Sequence, residues 1–434
     1  MSGPPVLPSL LVVHDEGSAT ALRVLASARG LCRVVLLCEP GNPRLAAELR
    51  DAGRHAEVVD LTGLDEDAVV RLAAGLAPAG AVTFSERRLR LTARIAAVCG
   101  LPFHSPATAA ALTDKLRQRR LLAAAGVQDT RCVPVRGAGD AAEALAEVGL
   151  PAVLKPRSGA GSVDTCLVRS PDELRSALAE FTGDSGGAYV LEEYLPGDPS
   201  AAGPGAGDFV SVESVVAGGR PRTVAVTGKL PLAPPFRETG HVLPAPLAAG
   251  LVAELVRLER RALRALGVRH GVTHTEIKLT PDGPRVIEVN GRLGGHIAEI
   301  VQRSQGYDLV AAALRLALGL PAPDPDPGPA PDPGAPGRDG VAFHFKLVPP
   351  EDRPLPDLRP LAGLLAELPG VDLVDVAPPP AEPDARTAGW RAGTAGAVGV
   401  VYGSAPDHPE LWRVLRGLRD RLDAYWRTTI AESP

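Results

Sequence analysis

The stretch from His274 to Arg292, HTEIKLTPDGPRVIEVNGR, carries two short runs of alternating apolar and polar residues on either side of Pro281-Asp282-Gly283. That composition is the composition of a three-residue hairpin loop, with proline opening a type I turn and glycine closing it left-handed. Pairing Thr280 with Pro284 sets Glu276 opposite Glu288 and His274 opposite Asn290, and strand alternation adds Lys278 to the same face. Ile277, Leu279, Ile287 and Val289 then point the other way, towards a core.

Two carboxylates facing each other across paired strands repel, so a purely structural role is poorly served by this arrangement. A divalent cation resolves the conflict. Oxygen ligands from Glu276, Glu288 and Asn290, with no cysteine and only a flanking histidine, suit magnesium or manganese better than zinc. Magnesium held by a few side chains shares its remaining positions with phosphates and water. Arg292, two residues beyond Asn290, falls on the same side and could neutralise charge on a transferred phosphoryl group. A solvent-facing polar hairpin accounts for a single glutamate pair, but less well for four polar residues converging opposite a cleanly apolar face.

At 434 residues the chain is too long for one ordinary core and suggests two to four domains. A net charge of -5 offers no basic footprint for nucleic acid. No apolar run approaches a bilayer span and the N-terminus lacks a signal pattern, so a cytoplasmic protein without membrane partners is expected. The five cysteines, Cys32, Cys38, Cys99, Cys132 and Cys166, lack metal-ligand spacing and read as core thiols. Of 46 basic residues only Lys115, Lys155, Lys229, Lys278 and Lys346 are lysine. Where arginine is the default cation, a surviving lysine marks a position that needs a compact ammonium on a flexible stem.

The first hundred residues alternate β runs (LLVVHD, RVVLLCEP, HAEVVDL, AVTFSE) with helical ones, the rhythm of a doubly wound parallel sheet over residues 1–104. No GxGxxG follows the first strand, so a dinucleotide fingerprint is not supported. Ser85-Glu86 falls at the carboxyl edge of that sheet, where such folds bind small molecules, although an ordinary strand end reads the same way. From residue 105 a capped helix pair leads into mixed β runs, a helix near Ala248 to Leu266, the hairpin, and a helix from about His296 to Leu318. Residues 321–340 are proline-rich and acidic, an extended linker. Residues 341–434 read as a small α+β unit whose strands could join the preceding sheet.

LPAVLKPRSGAGSVDT puts Lys155 at the end of a buried strand, before a loop holding Gly159, Gly161 and Ser162. Backbone N–H groups of such a turn can approach phosphate oxygens while the lysine supplies a point charge. It is not a Walker A sequence, because the lysine precedes the glycines. Further on, YVLEEYLPG pairs a hydrophobic strand with Glu192 and Glu193, which could offer a carboxylate and backbone groups to an adenine edge, with Leu195 against the ring.

Lys115 in TDKLRQRRLLAAAGV, Lys155 with its glycine loop, LEEYLPG, and HTEI followed by VIEVNGR, in this order and at these separations, resemble the ATP-grasp superfamily. The resemblance is closest to its carboxylate-amine ligases of the L-amino-acid ligase type, over roughly residues 80–320. It implies a two-subdomain ATP-grasp fold at 105–320 with ATP between the subdomains. Lys115 and Lys155 would lie on the phosphates beneath the 158–164 loop, and Glu192, Glu193 and the backbone near Tyr194 and Leu195 would hold adenine. Lys278 joins the nucleotide contacts, Glu276, Glu288 and Asn290 would carry Mg2+ or Mn2+, and Arg292 would face an acyl phosphate. Lys229 and FRETGHVLP match a segment that brings a histidine, here His241, near the substrate. Ten residues, DPSAAGPGAG, intervene before DFVSVE, so the ribose-binding acid is Asp208 or Asp198, with Asp208 favoured, and Asp164 stands in the glycine loop where a small residue is usual. The implied reaction joins a small carboxylate, an amino acid, to an amine. A small-molecule kinase or a non-catalytic nucleotide-binding module on the same scaffold are the alternatives. A homodimer is compatible with this reading.

Overall fold

A computed structural model describes residues 7–182, 188–203, 205–324, 340–351, 355–377 and 396–431. Among the described residues, sixteen strands fall into three sheets. In chain order they are β1 (Ser9–Val13), β2 (Arg33–Cys38), β3 (Glu57–Asp60), β4 (Gly80–Val82), β5 (Cys132–Val135), β6 (Ala152–Pro156), β7 (Cys166–Val168) and β8 (Tyr189–Glu193). Then come β9 (Phe209–Ala217), β10 (Arg220–Lys229), β11 (Gly240–Leu243), β12 (Gly271–Thr280), β13 (Gly283–Asn290), β14 (Val341–Lys346), β15 (Val371–Val376) and β16 (Gly399–Ala405).

The first sheet is parallel, in the order β3-β2-β1-β4. Both faces are covered, which is why its strands are continuous apolar runs without alternation. Leu11, Val13, Val35 and Leu37 meet the helices Glu66–Gly75 and Leu89–Cys99 on one side. Leu10, Val12 and Leu36 face Ala21–Ser27 and the distant helix Leu309–Ala317 on the other. Gly80 permits that second contact, since a Cβ there would lie 2.5 Å from the Ala317 carbonyl oxygen. The N-terminal sheet is thereby locked to the remainder of the chain. Helix starts follow local chemistry: Thr20, Asp65, Ser105 and Asp308 each accept a backbone N–H of the first turn.

The second sheet is antiparallel, in the order β5-β8-β6-β7, over a small core with two helices. The third has eight antiparallel strands in the order β13-β12-β9-β10-β11-β14-β16-β15. The C-terminal strands extend this central sheet. Most of the proline-rich segment expected at 321–340 lies outside the described residues. The single helix expected over 296–318 is two, Ile297–Gln305 and Leu309–Ala317, because left-handed Gly306 closes the first and Asp308 caps the second. Cys32 and Cys38 are buried, the other three cysteines are half-buried, and all five are free. No described helix is long and apolar enough to cross a membrane.

The hairpin differs from expectation in one respect. Thr280 pairs with Gly283, leaving a two-residue Pro281-Asp282 connection, and a bulge at Ile287 then restores the register. Beyond the bulge Glu276 faces Glu288 and His274 faces Asn290, as predicted. Before it Lys278 faces Arg285, and Val286 takes the core position expected of Ile287, which is half-buried. An extra residue in one strand shifts the pairing on one side of it only. Arg119 fixes the bulge by donating to the Val286 and Ile287 carbonyls at 2.9 and 2.6 Å.

The outer edge of β13 is paired by amide side chains. Gln118 donates to the Val289 carbonyl at 3.0 Å and accepts its N–H at 2.7 Å, while Gln128 does the same for Val286 at 3.0 and 2.6 Å. Removing Gln118 leaves two buried backbone groups unmatched. Gln118→Ala should lower the stability measured by chemical denaturation by about 2 kcal/mol, whereas Gln118→Glu, which keeps only the acceptor, should cost more at neutral pH than at pH 4.

Candidate active site on the central sheet

One face of the central sheet carries three cross-strand rows of polar side chains. Glu288, Glu276, Ser211 and Thr227 are successive partners on β13, β12, β9 and β10. Asn290, His274 and Glu213 form the neighbouring row. Lys229, His241, His344 and Tyr402 form the third row, on β10, β11, β14 and β16, on the far side of the Glu276 row. The opposite face, with Val210, Val212, Ile277, Leu279, Val286 and Val289, is apolar beneath the helix Ala249–Ala265. Period-two alternation sorts the two sets, and antiparallel pairing aligns them into rows.

All five lysines pair with carboxylates. Lys115, first residue of the helix Lys115–Ala124, stands 3.1 Å from Glu288 and donates to the Gly159 carbonyl at 2.9 Å. Lys155 is 2.9 Å from Glu192, Lys278 2.6 Å from Asp208, and Lys346 3.3 Å from Glu238, while Lys229 lies between Glu238 at 3.5 Å and His241 at 3.1 Å. The bias against lysine elsewhere was thus a usable signal, and it also covers Lys346, which motif reasoning left out.

Glu192 accepts from Arg119 at 2.7 and 2.8 Å as well as from Lys155. Burial opposes its ionisation, but these two cations outweigh it and hold the carboxyl down at about 2. Its side chain is therefore an internal counterion, and what β8 leaves free at its end is Tyr194 and Leu195, both half-buried. Glu193 pairs with Arg131 at 2.7 Å and Arg285 at 3.2 Å. Asp198 caps the short helix Pro199–Ala202, whereas Asp208 lies beside Lys278 on the polar face. Gly197 makes room for that carboxylate, since any Cβ there would collide with it. In the glycine loop Gly159, Gly161, Ser162 and Asp164 all have positive φ, at 128°, 76°, 57° and 50°. Two non-glycine residues in the left-handed region keep this turn under backbone strain.

Arg292 reaches Asn290 Oδ1 at 3.4 Å and pairs with Glu86 at 3.1 Å. Glu86 thus comes from the strand end of the first sheet into the site. Burial raises its carboxyl, as does the nearby charge of Glu288, with Arg292 and Lys115 acting in the other direction. His274 lies between two carboxylates, Nδ1 at 2.9 Å from Glu213 and Nε2 at 3.3 Å from Glu276. Burial lowers its pKa, but Glu213 and Glu276 raise it further, leaving it above the ordinary value. Glu276 in turn is pushed up by burial and held below the usual range by His274 and Lys229. Among the described residues no three histidine, cysteine, aspartate or glutamate side chains converge as a metal-ligating group. The hairpin offers two carboxylates and an amide, a donor set with room for non-protein oxygens.

Sequence reasoning found His241 but missed its surroundings. His344 and His296 stack at 3.9 Å between ring centroids, and His296 Nδ1 lies 2.6 Å from the Tyr402 hydroxyl. Burial is the main cause that lowers His241 to about 4 and His296 to about 3, and it carries His344 well below the ordinary range. Neither ring nitrogen of His344 has a partner among the described residues. A cavity of about 450 Å3 beside edge strand β5, lined by Arg120, Arg131, Arg136, Asp140 and Glu143, contains none of the predicted site residues.

Residues 148–300 match the model of the ATP-grasp domain. Human carnosine synthase 1 is 30% identical over 335 residues, which cover 71% of this chain and 39% of that protein. The alanine–anticapsin ligase of Bacillus subtilis is 31% identical over 182 residues, 38% of each chain. The chain therefore spans about two fifths of the length of these relatives. The crystal structure of L-amino acid ligase from Bacillus licheniformis superposes with a TM-score of 0.74 at 21% identity, covering 96% of this chain and 98% of that one. The chain carries an ATP-grasp domain and has the mixed α/β fold of the ATP-grasp ligases.

Proposed function

We propose that the chain is an ATP-dependent ligase that joins the carboxylate of an amino acid to an amine, through an acyl phosphate, with release of ADP and phosphate. The observation that carries the reading is Glu276 and Glu288 opposed on one face, with Lys115, Arg292 and the strained glycine loop gathered around them. In support stand the ligases among its relatives and structural neighbours. Glu276, Glu288 and Asn290 would hold Mg2+ or Mn2+, which when bound supplies charge neutralisation to the transferring phosphoryl group. An all-oxygen set of two carboxylates and one amide fits such an ion, with phosphates and water completing it.

Lys115 and Lys155 would orient the phosphates, each ammonium keeping hydrogens to donate beyond its present partners. Gly159, Gly161 and Ser162 would present backbone N–H groups and exclude water from an intermediate prone to hydrolysis. The backbone near Tyr194 and Leu195 would receive adenine, and Asp208 with Lys278 the ribose. Arg292, tethered to Glu86, would steady the acyl phosphate. His241, whose pKa burial lowers to about 4 and whose Nε2 lies 3.1 Å from Lys229, would act as the proton acceptor for the incoming amine.

Incubation with ATP, Mg2+, a panel of amino acids and hydroxylamine should yield hydroxamate with stoichiometric ADP, and chelation should abolish it. A stable phosphorylated product would instead identify a small-molecule kinase. Arg292→Ala and Lys115→Ala should lower kcat by about 100-fold or more, the scale of losing one preorganised charge at a transition state.

His241, His296 and His104 have folded-state values of about 4, 3 and 4, below those of an unfolded chain. Between pH 6.5 and about 4 these three imidazoles therefore bind more protons in the unfolded chain, so their contribution to stability should rise with pH through this window. Thermal melts should show that loss on acidification, and His344→Phe with His296→Phe should flatten it.

A further inference from the structure

Glu213 is a carboxylate with no solvent exposure, in the middle of β9. A hydrophobic residue would fill that position at lower cost, because a buried charge is retained only when something specific compensates it. The compensation is His274. Its Nδ1 lies 3.0 and 2.9 Å from the two oxygens of Glu213, which as acceptors require it to donate. The ring is clamped from the other side by Gly294, where an added Cβ would lie 2.5 Å from Nδ1 and 2.6 Å from Cε1.

So held, His274 touches two of the three proposed metal ligands. Its Nε2 is 3.3 Å from Glu276 Oε1, and its main-chain carbonyl accepts from Asn290 Nδ2 at 3.4 Å. The first contact occupies one oxygen of Glu276 and leaves the other free. The second fixes which way the Asn290 amide is turned, directing Oδ1 towards Arg292.

We propose that Glu213 and His274, seated on Gly294, are positioning residues that aim Glu276 at the nucleotide-borne dication. This rests on the reading of Glu276, Glu288 and Asn290 as its ligands. Outer-shell partners of this kind change metal affinity by about 10–100-fold when removed, because the ligands must then be ordered at the moment of binding.

The test is Mn2+ binding to the full chain in the presence of ADP, followed by electron paramagnetic resonance, for the wild type and for Glu213→Ala, Glu213→Gln and Gly294→Ala. The Mn2+ dissociation constant should rise about 10–100-fold in Glu213→Ala and Gly294→Ala, and less in Glu213→Gln, which keeps an acceptor for Nδ1. Melting temperatures and far-ultraviolet spectra identify any variant whose fold is lost, and Gly294→Ala displaces the ring while keeping both Glu213 and His274 in the chain. Wild-type Mn2+ constants in the folded variants would overturn the proposal. The readout needs no acid or amine substrate, so a chain that binds Mn2+ with ADP yet forms no hydroxamate counts against the ligase reading and leaves the dyad standing.

Discussion

Two like charges held opposite each other across a pair of strands are the condition around which this molecule is arranged. Glu276 and Glu288 cannot relax apart, because the hairpin and its bulge fix their register. Each therefore has its own partner, the His274 imidazole for one and the Lys115 ammonium for the other. Lys115 is also bonded to the glycine loop, and His274 to a fully buried carboxylate. The compensation thus spreads from the hairpin into both of the antiparallel sheets. A site balanced this way can exchange an internal cation for an external one without leaving either carboxylate exposed in a low-dielectric interior.

Much of this was legible in the chain. Alternation separated the two faces of the hairpin, and turn composition set the facing pairs, because both depend on local chemistry. The bulge at Ile287 was not legible. It is stabilised by Arg119, whose two carbonyl partners at the bulge are more than 160 residues away in sequence. For the same reason nothing in VSVESVVAGG separated Glu213 from an ordinary solvent-facing glutamate: only the register of β9 against β12 brings it to His274. Glu86 could be placed at a strand end, but its pairing with Arg292 depends on how the first sheet docks. The break at Gly306 has a local mark, a glycine free to take the left-handed turn that closes the helix.

Each of the five lysines, inside a motif or not, stands beside a carboxylate. A guanidinium is planar and wide, whereas these sites enclose a single ammonium between a carboxylate and a carbonyl or an imidazole. Lys229, 1% exposed, is the extreme case. A compositional drift towards arginine therefore acts as a filter that leaves lysine where geometry forbids the exchange.

The placement of β14 between β11 and β16 has an architectural consequence. His344 and Lys346 enter the polar face on a strand that lies about a hundred residues after β11 in the chain, beyond the proline-rich stretch. One end of the polar face is thus supplied by strands late in the chain, while the hairpin at the other end comes earlier. Such a division lets the two ends diversify at different rates: exchange of the later strands would repaint the far end of the face and leave the facing carboxylates of the hairpin untouched.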